Sequence, residues 1–254
     1  MEWVLWLIAV VVALSVGSFI NVVVYRLPTQ IVNPEHSISV WRPRSHCVAC
    51  KQVLGWRDIL PVVSWLLLRG RCRFCQCAIG ARYPGVEIAS ALFCLTMFVL
   101  LPVDRPLAAT LMLFWLLLTL SLIDIDHLLL PDVITQPLLW LGLLLKAVEW
   151  IPGSLSDGVF GAILGYGALW CMATTYQWIK GIPALGMGDT KLVAALGAWL
   201  GWTLIPLMLL LACSGAILAI FIGKMCVHRD LHQPLAFGPW IALAAISLFI
   251  NTII

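Results

Sequence analysis

The stretch Trp3-Val-Leu-Trp-Leu-Ile-Ala-Val-Val-Val-Ala-Leu-Ser-Val-Gly-Ser-Phe-Ile-Asn-Val-Val-Val-Tyr25 decides the fold: it runs for 23 residues without a charged side chain. About 20 apolar residues in a helix cover the roughly 30 Å hydrocarbon core of a bilayer. Glu2 is the only charge before it, so the run lacks the basic start of a cleavable leader and reads as a retained helix. The rest of the chain is built the same way. Of 254 residues, 62% are hydrophobic and 11% charged, where soluble chains carry about 25% charged residues. So few charges cannot cover a soluble surface. A soluble domain, a disordered chain, a collagen-like repeat and a small secreted disulfide scaffold are excluded, and an all-α polytopic membrane protein is expected.

Further membrane-length runs lie at 84–101, 107–123, 133–150, 158–179 and 237–254. The stretch 191–223 is too long for one span, and Gly201 and Pro206 can divide it in two. The total is about eight transmembrane helices. Nine of the fifteen Lys and Arg fall within 26–82, the one long segment without such a run. Cytoplasmic loops collect basic residues, so this segment is expected in the cytoplasm. With eight crossings, Lys180, Lys191, Lys224 and Arg229 fall on the same side, and only Arg105 and Lys146 on the other. The expected organisation is a first helix at 1–25, a cytoplasmic lobe at 26–83 and a polytopic membrane domain at 84–254.

Inside the lobe lie two pairs, Cys47-Val-Ala-Cys50 and Cys72-Arg-Phe-Cys75, with 21 residues between them. Two such knuckles suit one tetrahedral Zn²⁺ held by Cys47, Cys50, Cys72 and Cys75. Four sulfurs close the metal's coordination, so the site is structural. Four buried structural thiols, or two disulfides with an inverted topology, are the alternatives. Cys77 can compete as a ligand. His36 and His46 are read as loop residues. Cys94, Cys171 and Cys213 are read as small apolar residues of spans, and Cys226 as a loop thiol.

Ionisable groups in spans are costly and usually functional. Asp124 and Asp126 end the third run, and Asp189 opens the sixth in Gly186-Met-Gly-Asp-Thr-Lys191. Residues two apart on a helix point to nearly opposite faces, so only one of Asp124 and Asp126 can meet Asp189. Paired carboxylates suit an aspartic peptidase, in which one takes a proton from water and the other polarises the scissile carbonyl. A proton-coupled carrier also uses membrane aspartates. Asp132, after Pro131, can simply cap the fourth span.

The chain resembles the type IV prepilin peptidases, the bifunctional leader peptidase/N-methyltransferases of type IV pilus and type II secretion systems. The matches are Gly17-Ser-Phe-Ile-Asn-Val-Val-Val-Tyr-Arg-Leu-Pro28, both cysteine pairs, Leu60-Pro-Val-Val-Ser-Trp-Leu-Leu-Leu-Arg-Gly-Arg-Cys72, Arg82-Tyr-Pro84 with Glu87, Leu122-Ile-Asp-Ile-Asp-His127, Leu130-Pro-Asp132, the Gly-Met-Gly-Asp segment, and Phe237-Gly-Pro239. The resemblance implies an inner-membrane aspartic peptidase with its site on the cytoplasmic side. Asp189 matches one catalytic aspartate. The other lies seven residues before Pro131, which selects Asp124. The implied substrates are prepilin or pseudopilin precursors, cut after a Gly and usually before a Phe. The new N-terminus is then methylated from S-adenosylmethionine, for which no residues are named. Zinc in the cysteine lobe, the lipid bilayer as surroundings and no nucleic-acid partner are also implied, while the oligomeric state is left open. Basic leaders favour acidic groups, and Glu35, Asp58 and Glu87 are the candidates, with a pairing to a neighbouring Arg such as Arg82 as the alternative for Glu87. The segment Gln76-Cys-Ala-Ile-Gly-Ala-Arg82 departs from the family pattern, lacking the Gly after the second pair and the Trp before Arg82.

Overall fold

The structure is a computed structural model that describes residues 2–32, 39–42, 44–181, 186–227 and 235–254. Among them are nine α-helices: α1 Glu2–Val32, α2 Val63–Leu67, α3 Arg82–Leu100, α4 Arg105–His127, α5 Asp132–Ala147, α6 Leu155–Lys180, α7 Met187–Leu200, α8 Ile205–Val227 and α9 Gly238–Ile253. No β-strand occurs among the described residues; two isolated bridges pair His46 with Val53 and Arg71 with Ala78. Glu35, His36 and Arg229, and the Cys226 side chain, lie outside what is described.

Each of the eight expected apolar runs is helical. Five helices are long and apolar enough to cross a membrane: Trp3–Val32, Arg82–Leu100, Arg105–His127, Leu155–Lys180 and Trp202–Lys224. The other three, α5, α7 and α9, have 16, 14 and 16 residues. A 14-residue helix is about 21 Å long at 1.5 Å per residue, short of the bilayer core. Burial explains the shortness of α7. It packs against α5, α6 and α9, and residues 192–199 are all buried, so its ends need not reach a lipid surface. The division of 191–223 falls at Gly201, whose φ of 85° favours glycine. A short turn, Trp202–Leu204, then leads into α8, which takes Pro206 in its first turn.

The chain packs as two units, Met1–Pro102 and Val103–Ile254. In the first, α1 lies along α3. Their contact is a seam of small residues of the kind that lets membrane helices approach closely. A Cβ on Gly17 would stand 2.7 Å from the Glu87 Cα. Ser90 donates to the Ala13 carbonyl at 2.7 Å, and Asn21 donates to the Tyr83 carbonyl at 3.0 Å. Hydropathy grouped the run at 84–101 with the later spans and ended the first helix at Tyr25. Here α3 packs on α1, and α1 continues through Pro28 to Val32. Arg26, buried on that extension, donates to the Ser39 and Val40 carbonyls.

The second unit is built around α7. Gly161 of α6 and Gly197 of α7 meet backbone to backbone, and a Cβ on either would overlap the other's carbonyl. Trp199 fills the space over Gly142 of α5, where a Cβ would stand 2.5 Å from its ring. Its indole N–H donates to the Leu138 carbonyl at 2.8 Å, and its ring meets Phe249 of α9 edge-on at 5.5 Å. Every polar atom of this buried indole is thereby satisfied.

Candidate active site and metal centre

Asp124 sits in the last turn of α4 and is 5% exposed. Its Oδ2 accepts the Gly238 N–H at 2.8 Å. Gly238 is the first residue of α9, where N–H groups have no partner within the helix and the helix dipole favours an anion. Only glycine fits there, because a Cβ would stand 2.8 Å from the same oxygen. The Asp124 carbonyl accepts the Leu128 N–H at 2.9 Å. Leu128 has φ 53° and ψ 38°, a left-handed conformation that side chains other than Gly, Asn and Asp rarely adopt. That turn ends α4 and brings Leu130 against Gly188, 3.0 Å from where its Cβ would be, and towards Gly238.

Asp189 is the third residue of α7, again at a helix N-terminus. Its N–H donates to the Gly186 carbonyl at 3.1 Å. It is half-buried, and the Asp124 carboxylate lies close enough to act on it electrostatically. The end of α4 and the start of α7 thus carry carboxylates within electrostatic reach of each other. Asp126 is exposed on the other side of α4. Asp132 opens α5, where both its oxygens accept from Lys191 Nζ, at 2.7 and 2.8 Å. This ion pair ties the first turn of α5 to α7 just beyond its first turn, two residues after Asp189. Phe237-Gly-Pro239 is one of the segments that match the family, and nothing in its composition marks it as part of the site. A glycine-proline pair opening an apolar run was the available signal for a helix start whose N–H groups face a partner.

The cysteines form two matching knuckles. In the first, Cys47 N–H donates to the Gln52 carbonyl and Lys51 N–H to the Cys47 carbonyl; in the second, Cys72 pairs with Cys77 and Gln76 with Cys72 in the same way. Lys51 (φ 59°) and Gln76 (φ 57°) occupy the left-handed position after each pair, where the family pattern has a glycine after the second. The sulfurs of Cys47, Cys50, Cys72 and Cys75 all lie within 4.8 Å of one another and can hold a metal ion. Four sulfurs each about 2.3 Å from a tetrahedral zinc would stand about 3.8 Å apart. Cys47 and Cys75 are 3.8 Å apart. Cys77 Sγ is 3.7 Å from Cys47 Sγ. The Cys50 N–H, donating to sulfur, brings the Cys47 thiol down to about 6, and the Cys77 N–H lowers Cys75. The Cys75 and Cys47 sulfurs push Cys77 up to about 12. The Gln52 N–H lowers Cys50, yet burial and the neighbouring sulfurs carry it up to about 11.

The lobe has almost no core of its own. Among described residues 39–81, only Cys47, Gly70 and Cys72 are buried. Trp41, Trp56, Leu66 and Leu67 are exposed, as suits side chains that meet lipid headgroups. So small a lobe needs a staple other than apolar burial. Asp58 is taken up by Arg73 at 2.7 Å and by the Gly55 N–H. His46 is a loop residue against the Arg44 carbonyl. Cys94 is buried, while Cys171 and Cys213 are exposed on α6 and α8.

The long apolar helices define an integral membrane protein of the all-helical class. Residues 11–101 match the Bacterial Peptidase A24 N-terminal domain, and residues 111–223 match the Type IV leader peptidase family. A Prepilin leader peptidase/N-methyltransferase of Pectobacterium carotovorum is 40% identical over 93% of this chain and 89% of its own. Relatives of the same name in Aeromonas salmonicida and Pseudomonas aeruginosa are 39% and 40% identical, over 96% and 94% of this chain and 90% and 87% of theirs. No solved structure matches. The chain belongs to the type IV leader peptidase family and is an enzyme, a peptidase by family.

Proposed function

We propose that the chain cleaves the leader of type IV prepilins or type II secretion pseudopilins at the cytoplasmic face of the inner membrane, then methylates the new N-terminus from S-adenosylmethionine. The names of relatives that align over nearly the whole chain support both activities. The observation that supports the peptidase reading is the buried Asp124, held by the Gly238 N–H, with the Asp189 carboxylate within its electrostatic reach.

In this reading the pair holds one proton. The ionised carboxylate takes a proton from water, and the water oxygen attacks the scissile carbonyl carbon. The protonated carboxylate hydrogen-bonds the carbonyl oxygen as charge develops there. Collapse of the tetrahedral intermediate breaks the C–N bond, and the leaving amine takes a proton from the pair. Cys47, Cys50, Cys72 and Cys75 hold structural zinc, with Cys77 beside it, and the basic composition of 26–82 supports a cytoplasmic lobe. When bound, S-adenosylmethionine supplies a methyl group on a sulfonium for transfer to the amine.

The test is cleavage of a purified prepilin. Asp124→Asn and Asp189→Asn should each lower the rate at least about 1,000-fold, a loss of about 4 kcal/mol of transition-state stabilisation, while Asp126→Asn stays within a few-fold of wild type. Wild-type cleavage by folded Asp124→Asn overturns the assignment.

A further inference from the structure

Leu130 stands between the two helix starts that surround the carboxylates. Its Cβ lies 3.0 Å from where a Cβ on Gly188 would be, and its Cδ2 lies 3.3 Å from where a Cβ on Gly238 would be. Gly188 directly precedes Asp189 at the start of α7, and the Gly238 N–H holds Asp124 at the start of α9. The point beside Gly238 is also 2.8 Å from the Asp124 Oδ2. One apolar side chain thus touches both helix starts, beside Asp124 at one end and one residue from Asp189 at the other.

Neither glycine is required by its backbone. Both are helical and lie outside the left-handed region, and glycine is among the poorer helix formers. What the missing side chains provide is room, and Leu130 takes it. Leu130 is itself placed from both flanks. Leu128, in the left-handed conformation, turns the chain before it. Pro131, which follows, accepts the Ile134 and Thr135 N–H groups at 3.0 Å as α5 begins. A side chain locked by its neighbours gives a site a fixed surface. That surface is not sealed, since Leu130 is only half-buried.

We propose that Leu130 is a specificity-determining residue of the peptidase: an apolar wall whose bulk limits the side chain of the substrate residue that supplies the scissile carbonyl. The inference rests on the peptidase reading above. In that reading both carboxylates act on one carbonyl group, whose Cα is bonded directly to the attacked carbon. A side chain on that Cα starts two bonds from the reacting atom and meets the apolar surface beside the carboxylates. The side chain across the scissile bond starts one bond further away. Selection by size is built from a clash with the larger competitor, and one methylene in an apolar pocket is worth roughly 10–200-fold. Leucine neither gives nor takes a proton, so its effect falls on substrate shape and not on the chemistry of the pair.

The test is internal competition. The purified full-length protein receives equal amounts of prepilins with Gly, Ala or Val before the cut, and product ratios by mass spectrometry give ratios of kcat/KM. A ratio taken within one tube does not depend on how much of a variant folds. Wild type should favour Gly over Ala and Ala over Val. Leu130→Ala should move the Val-to-Gly ratio towards Val by at least about tenfold, and Leu130→Val should move it the same way by less. Leu130→Phe should move the Ala-to-Gly ratio towards Gly. Ratios unchanged in the variants that cleave would mean that Leu130 only packs, which overturns the inference and leaves the peptidase reading intact. Equal cleavage of all three substrates by wild type overturns it as well. So does loss of all cleavage in every variant, because trimming one methylene from a size wall cannot exclude the smallest substrate. Cleavage of none of them by folded wild type, or their cleavage by Asp124→Asn, overturns the peptidase reading itself.

Discussion

Gly238 is the position where a single added methyl group should separate folding from catalysis. A Cβ there would stand 2.8 Å from Oδ2 of Asp124 and 3.3 Å from Leu130 Cδ2, so Asp124 must turn away from the α9 N-terminus. Gly238→Ala should lower prepilin cleavage at least about tenfold, corresponding to about 1.4 kcal/mol, with a melting temperature close to wild type; unchanged cleavage would show that the N–H contact does not orient Asp124. Helix geometry set Asp124 and Asp126 on different faces, and only the family resemblance, through the place of Asp124 seven residues before Pro131, chose between them. The sequence could not supply the Gly238 contact, which joins residues 114 apart and leaves no trace in local periodicity. Cys77 shows the opposite case, a residue conspicuous in the sequence whose place only coordinates define. Its sulfur lies beside the four-sulfur cluster but outside it. Cys77→Ser should retain about one metal per chain by elemental analysis, whereas Cys72→Ser should lose it, since removing one of four thiolates opens a closed site. Metal lost from both would make Cys77 a ligand.

Helices were legible in this sequence because long apolar runs and punctuating Gly and Pro residues are local signals. Which helices meet was not, because nearly every residue on every face is apolar and no stripe marks the inside. The glycines carry that information. Gly161 and Gly197 admit no side chain between α6 and α7, so Gly161→Leu should destabilise the protein by at least about 1–3 kcal/mol, the usual range for overpacking. The measurement is thermal unfolding in detergent, and a melting temperature equal to wild type would mean that the two helices can separate freely. The Lys191–Asp132 pair acts differently. Both side chains are substantially exposed, and exposed pairs contribute about 0–1 kcal/mol. Lys191→Ala should therefore leave unfolding nearly unchanged yet slow cleavage several-fold, because the pair holds the start of α7, two residues beyond Asp189, against α5. Exchanging the charges, Lys191→Asp with Asp132→Lys, should recover part of the rate; no recovery would mean that Lys191 acts on something other than position.

At the scale of the whole molecule, composition and charge placement were enough to read a polytopic membrane protein with a cysteine lobe, and the resemblance made it an enzyme. They did not reveal that the compact units divide at Pro102, because α3 is as apolar as the helices of the second unit and only its packing on α1 assigns it. The division has a functional consequence. The second unit has its own buried core around 192–199, and Asp124, Asp189 and Gly238 all belong to it. The lobe at 39–81 has only Cys47, Gly70 and Cys72 buried among its described residues. For such a lobe the free energy of metal binding is folding free energy. Stripping metal with a membrane-permeant chelator should therefore melt the lobe and spare the carboxylate pair. Methyl incorporation into a pre-cleaved substrate should fall at least tenfold, hydrolysis of a short leader peptide should stay within about threefold, and limited trypsin digestion should newly cut near Lys51 and Arg57. Restored zinc should reverse the methylation loss. An equal fall in both activities would mean that the lobe is required for cleavage as well.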